Sequence, residues 1–338
     1  MGHRSHVFIY LYYLKKHTES QIYALHLKND FVKIYAPMKK EGSSISIETP
    51  AKINLTLEVL GKRPDGYHAL RSVVMPVSLT DTVTVTTTSR DISLAVTAEP
   101  WVDLALIGPP EKNLCFRAVH LMKSRYRMDA GAKIHVHKRI PIGGGMGGGS
   151  ADAAAVIRGL NDLWELDLPR GEMMELGAEL GSDIPALVHG GAVLMEGRGE
   201  FITGLFQGLS EETCRGFWLV VANPGIPCPT AEVFKNWKAG LTPPPHFLHN
   251  MISFVRTGQV TAAADVLHNG LQEGVFERYP LVEQTASQLK VAGCFGVLLS
   301  GSGSSVFGLV RDEAHGQEVC QRLDDSLWRM LVRTCPVV

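Results

Sequence analysis

The sequence predicts an α+β protein of two domains. Three observations carry that expectation. Period-two alternation is concentrated in the first half of the chain, around residues 44–60, 82–88 and 133–137, while helical spacing appears between and after these stretches. A chain of 338 residues is long for one core. A run of six glycines around one methionine, Gly143 to Gly149, separates a strand pattern from a helix pattern.

Taken in order, the first 46 residues are rich in Tyr, His and Lys and have no clean period. They read as an extension of doubtful status, with Met38 as a candidate natural start. Ser44-Ile45-Ser46-Ile47-Glu48 alternates, as does Asn54 to Leu60, and both predict strands. Thr82 to Thr88 alternates Thr with Val and predicts another. Asn113 to Arg125 places Leu114, Ala118, Leu121 and Met122 at helical spacing. Lys133 to His137 is a strand pattern, and Ala153, Val156, Ile157, Leu160 and Trp164 mark one face of the helix after the glycines. A break is expected near 203–216, dividing a domain of residues 47–205 from one of 206–338. Beyond it come a strand at Phe217 to Ala222, a loop at Pro243-Pro244-Pro245, helices, and a second glycine motif, Ser300 to Ser305.

The formal net charge of −1 gives no bulk attraction for nucleic acid or an anionic membrane. The longest N-terminal apolar stretch, Val7 to Leu14, is too short to span a bilayer, and Lys15-Lys16-His17 follows it in place of a cleavage site. The six cysteines, Cys115, Cys214, Cys228, Cys294, Cys320 and Cys335, form no C-x-x-C pair and fit a reducing, cytoplasmic setting. His135 and His137 share a strand face but lack a third metal ligand, so no metal site is expected there.

Glycine-rich backbone ahead of a helix start is suited to phosphate, because free N–H groups and the positive end of the helix dipole converge there. Gly143, Gly145 and Gly148 satisfy G-x-G-x-x-G, which a dinucleotide fold also uses, with Glu165 or Asp167 near the distance of its acidic partner. No Gly-Lys-[Ser/Thr] follows, so a Walker A loop is excluded. Ser150 can cap the helix, or bond phosphate or Mg²⁺. Asp65-Gly66 alone is turn chemistry, Asp183 before Ile184-Pro185 can be an N-cap, and Ser300 to Ser305 can be a tight turn.

Pro141 to Ala154 resembles the phosphate-binding motif of the GHMP kinase superfamily, with Met146 where leucine is usual and Ala151 where serine is common. Three further stretches match in order. They are Pro50 to Leu55 with Gly61 to His68, Gly181 to Pro185 with Gly197 to Glu200, and Leu299 to Gly308. The resemblance runs from about residue 47 to 330 and implies a two-domain α+β kinase fold with its active site in the cleft between the domains, using ATP and Mg²⁺. It implies that Pro141, Gly143, Gly144, Gly145, Gly147, Gly148, Gly149 and Ser150 bind the nucleotide. It makes Asp183 the base and Lys52 its partner, keeping the carboxylate ionised and polarising the acceptor hydroxyl. The Asp-Gly-Tyr-His element resembles members whose acceptor is a small molecule carrying cytidine diphosphate, phosphorylated on a 2-hydroxyl in the non-mevalonate route to isoprenoid precursors. Asn54, Tyr67, His68, Phe234, Gly301 and Ser302 would then bind that substrate, Phe234 also being explained as an apolar helix position. The rivals are another small-molecule kinase of the superfamily and a nicotinamide-dependent oxidoreductase. The oligomeric state is left open.

Overall fold

The computed structural model describes residues 23–27, 30–34, 39–206, 216–239, 245–257 and 266–335. Strands β1 (Tyr23–Leu27) and β2 (Asp30–Ile34) pair antiparallel as a separate ribbon in a stretch where no period was legible. Strands β3 (Ser44–Lys62) and β4 (His68–Thr88) form one very long antiparallel pair. Register shifts at Pro50/Lys52, Asn54/Thr56 and Val59/Gly61 bend it. The alternations at 44–48 and 54–60 are therefore one strand. Residues Thr49 to Val59, which include the link between them, are nearly all buried, because this middle part is covered on both faces.

Strand β5 (Ile92–Ala98), helix α1 (Leu114–Arg125), strand β6 (Gly131–Lys138), helices α2 (Gly148–Leu163), α3 (Arg170–Leu180) and α4 (Ile184–His189), and strands β7 (Val193–Gly197) and β8 (Phe201–Gly204) complete the first unit. Asn113 is the cap of α1, its side chain accepting from the Cys115 N–H, and not its first residue. The helices bury one face against the sheet, with Val156, Ile157, Leu160 and Trp164 on Val83, Val85 and Ile134. Gly159 lets α2 lie close, since a Cβ there would sit 3.2 Å from Ile45 and 3.3 Å from Val85. Glu165 and Asp167 fall in the turn after α2 with φ of +49° each, not at the tip of a following strand. The dinucleotide-fold expectation thus loses its acidic partner.

The second part holds β9 (Trp218–Asn223), α5 (Thr230–Lys235), α6 (Pro245–Thr257), β10 (His268–Asn269), α7 (Gln272–Arg278), α8 (Pro280–Ala292), β11 (Val297–Leu299), β12 (Val306–Leu309), α9 (Glu313–Arg322) and β13 (Trp328–Arg333). Its sheet has the order β11-β12-β9-β13. Pro245, expected in a loop, begins α6; Pro243 and Pro244 lie outside the described residues, as do 207–215 of the expected break. The two parts share apolar packing: Ile53, Leu55 and Met75 meet Leu219, Val221 and Phe307. Strand β10 also joins the first sheet, parallel to β3 at Thr56 and Leu57. No helix among the described residues is long and apolar enough to cross a membrane.

Candidate active site

The loop from β6 to α2 is built by alternating glycine conformations. Gly143, Gly145 and Gly147 have φ of +70°, +74° and +70°, a region that L side chains avoid. Met146 is buried and anchors the loop, while its carbonyl accepts from the Lys52 N–H at 2.9 Å. Gly147 is the N-cap of α2 and supplies no side-chain oxygen, so the first amides of the helix keep their donors for a ligand. Ser150 is therefore not the cap. It lies in the first turn of α2 and borders the cleft, where its hydroxyl is available for phosphate or a metal ion.

A buried charge cluster fixes both ends of this loop. The Lys138 ammonium bonds Asp81 and, at 2.7 Å, Asp152 on α2. The other oxygen of Asp81 accepts the N–H groups of Arg139 and Ile140, where the chain leaves β6. Burial lifts the Asp152 carboxyl to about 7, against the pull of Lys138 and with Asp81 adding to the rise. Burial also opposes the charge on Lys138, yet its two carboxylates outweigh it and hold the ammonium above the usual lysine range.

Lys52 leaves β3 beneath the same loop; a Cβ on Gly147 would come within 2.9 Å of its side chain. It is only 3% exposed, and a buried ammonium needs partners. These are Asn54 Oδ1 at 2.7 Å and Asp183 Oδ2 at 3.4 Å. Asn54 is held in turn by its own donor bond to Ser72 at 2.8 Å. Asp183 stands at the N-cap position of α4 but its side chain makes no cap bond. Pro185 removes one N–H that a cap could serve, and the Ile184 N–H reaches back to the Gly181 carbonyl at 3.3 Å. The carboxylate, 31% accessible, is left facing Lys52 and the cleft.

At the other end of the cleft the β3–β4 turn presents Tyr67 and His68. Asp65 accepts the Tyr67 N–H at 3.1 Å and Gly66 has φ of +86°, so turn chemistry and ring placement coexist in one element. The His68 ring lies 5.4 Å from Phe234 and 5.6 Å from Trp237. Burial, then nearby Lys62, pushes the His68 pKa down and favours the neutral imidazole. Trp237 was not singled out by sequence; a large aromatic three positions beyond Phe234 at the end of a short helix was the available signal.

The Ser300 to Ser305 stretch is the β11–β12 turn and also the floor of the glycine loop. The Ser305 N–H donates to the Gly144 carbonyl at 3.0 Å and Ser300 Oγ to the Gly145 carbonyl at 3.2 Å. Asn223 Nδ2 bonds Ser304 and Ser305, and Asn269 Nδ2 bonds the Leu299 and Gly301 carbonyls. Gly301 abuts the Lys52 ammonium, and Ser302 Oγ lies 2.9 Å from Thr230 Oγ1.

One cleft of about 930 Å³ joins these parts. Lys52, Asn54, Tyr67, His68, Pro141, Gly143, Gly144, Gly145, Gly147, Gly148, Gly149, Ser150, Asp183, Phe234, Gly301 and Ser302 all line it. His135 and His137 lie elsewhere, sharing Thr97 Oγ1 at 3.2 and 3.1 Å. No group of three or more potential His, Cys, Asp or Glu ligands occurs among the described residues. The described cysteines are free thiols.

The sequence models for the GHMP kinases N terminal domain and GHMP kinases C terminal match residues 113–191 and 251–328. The 4-diphosphocytidyl-2-C-methyl-D-erythritol kinase of Bacillus licheniformis is 40% identical over 80% of this chain and 90% of its own length. The protein of that name from Gloeobacter violaceus is 38% identical over 82% and 89%. A crystal structure of 4-(cytidine 5'-diphospho)-2C-methyl-D-erythritol kinase superposes with a TM-score of 0.70 at 27% identity, covering 86% of this chain and 99% of that one. Within the GHMP kinases, this chain belongs to the 4-diphosphocytidyl-2-C-methyl-D-erythritol kinase family.

Proposed function

We propose that this chain transfers the γ-phosphoryl group of ATP to the 2-hydroxyl of 4-diphosphocytidyl-2-C-methyl-D-erythritol, giving the 2-phosphate and ADP. The observation that carries this reading is the 3.4 Å approach of Lys52 to Asp183 in the cleft that also holds the open amides of the loop. The loop from Gly143 to Gly149 and the start of α2 receive the triphosphate and spread its developing charge over fixed N–H dipoles. The donor set suits Mg²⁺, which keeps several waters and takes few protein ligands. Ser150 is the residue we assign to it, and when bound there the ion would supply neutralisation of phosphate charge. Asp183 accepts the proton of the acceptor hydroxyl. Lys52 keeps the carboxylate oriented and polarises that hydroxyl, and Asn54 restricts the ammonium to this position. Tyr67, His68 and Phe234 take the cytosine, for which a neutral imidazole has both a donor and an acceptor. Gly301 and Ser302 support the phosphates from the opposite wall.

The test is phosphoryl transfer to the cytidyl substrate by the wild-type chain and by Asp183→Ala. Turnover should fall by about 10²- to 10⁴-fold in the variant, the range expected for loss of a positioned base, with ATP binding retained. A variant keeping most of its turnover would remove Asp183 from the role of base.

A further inference from the structure

The hairpin tip between β7 and β8 carries Gly197-Arg198-Gly199-Glu200, a stretch without a task in the chemistry above. Its backbone is tightly constrained. Gly197 and Gly199 have φ of +75° and +119°. A Cβ on Gly199 would lie 2.1 Å from the Ser182 carbonyl oxygen, so the tip is pressed against the residue just before Asp183. Glu200 is already engaged: one oxygen pairs with Arg63 at 3.3 Å and the other accepts the backbone N–H of Arg198.

The Arg198 guanidinium is placed differently. It is half-buried, its Cζ stands 5.3 Å from the centre of the Tyr67 ring, and it donates one long bond of 3.3 Å to the Ala178 carbonyl. No carboxylate among the described residues lies within ion-pair distance of it. A guanidinium has five donors, so most of its hydrogen-bonding capacity is unspent; Asp65 is near enough to feel its charge but is itself bonded to Arg63 and makes no ion pair with it. It also lines the cleft. Its stacking on an aromatic face fixes the direction of the fork at little cost in side-chain freedom.

The chemistry of the acceptor says what belongs opposite this charge. Its cytidine is joined to the sugar-alcohol end through a diphosphate. With the base at His68 and Phe234 and the hydroxyl at Asp183, the diphosphate occupies the interval between them. Arg198 borders the cleft beside that interval: its guanidinium lies on Tyr67, and the next residue, Gly199, abuts Ser182 just before Asp183. We propose that Arg198 binds the diphosphate of the acceptor substrate, with the Tyr67 ring holding its guanidinium in place. Charge-assisted, forked bonds to phosphate oxygens are what this side chain makes best. The proposal rests on the cytidyl-kinase reading of the site. Lys62 and Lys235 border the same cleft, so the test must separate one cation from the rest.

The experiment is calorimetric titration of the full chain and of Arg198→Met with cytidine, CMP and CDP, and with ATP as a control. In the wild type, affinity should rise along the cytidine series as phosphates are added. In Arg198→Met, CDP affinity should fall about tenfold or more, the value of a charge-assisted contact, while cytidine and ATP affinities hold. Equal losses for cytidine and CDP would mean that Arg198 only props Tyr67, and would overturn the proposal. So would an unchanged CDP affinity, or an equal loss for ATP. A wild-type chain that binds ATP but none of the cytidine series would instead overturn the cytidyl-kinase reading on which the proposal stands.

Discussion

The two glycine-rich turns of this molecule have similar composition and opposite uses. In the loop from Gly143 to Gly149, glycine frees the backbone toward the cleft. A Cβ on Gly149 would meet nothing within 4 Å, and the helix start beyond Gly147 has no side-chain cap. In the turn from Ser300 to Ser305, glycine permits close packing: Ser300, Ser304 and Ser305 are buried with their hydroxyls spent within the protein, and only Gly301 and Ser302 border the cleft. The two meet at Gly145, where a Cβ would lie 2.1 Å from the Ser300 carbonyl and 2.9 Å from the Gly303 nitrogen. One turn is the binding surface and the other its foundation. Glycine content alone does not distinguish a ligand cradle from a packing surface; the fate of the neighbouring N–H groups does.

Substitutions at three positions sharpen that contrast. The largest effect belongs to Gly145→Ala, which combines positive φ with a backbone collision. It should cost at least ~2 kcal/mol in chemical unfolding and weaken ATP binding as the loop lifts from its floor. Unchanged unfolding would break the claim that the second turn supports the first. Next is Asn223→Ala, which strips Ser304 and Ser305 of a buried donor and the Gly225 N–H of its acceptor. A loss of about 1–3 kcal/mol is expected, with ATP affinity reduced less than stability. The smallest is Gly149→Ala. A methyl here faces open space on a helix, so stability should hold or rise by ~0.5–1 kcal/mol. Any penalty should appear only in nucleotide affinity; a penalty in unfolding instead would mean that this side of the loop is packed after all.

Much of the site was legible in the sequence because the chemistry sits in short, contiguous stretches. Lys52 with Asn54, Tyr67 with His68, and the glycine run each announce themselves within a few residues. What was not legible depends on pairings across long separations. Lys138 meets Asp81 over 57 positions and Asp152 over 14, and nothing local marks any of the three as partners. Arg198 lies in the contiguous stretch Gly197 to Glu200, yet its stacking on Tyr67 depends on two hairpins meeting. The joining of two expected strands into β3 was hidden at residues 49–53, where Thr49-Pro50-Ala51-Lys52-Ile53 has no alternation and Pro50 argues against a continuous strand. The two-residue strand β10 is too short to carry any period.

The closure of the first sheet by distant chain has a consequence for biogenesis. Thr334 bridges Val77, the Cys335 N–H bonds the Pro76 carbonyl at 2.8 Å, and the Arg333 N–H bonds Ser78 across 255 positions. During synthesis the ribosome delivers the middle of β4 long before the segment that clasps it. That part of β4 lacks these contacts until a segment about 255 positions later has emerged. Contacts of such long sequence separation form late in folding and lengthen the time in which an incomplete sheet is exposed to self-association.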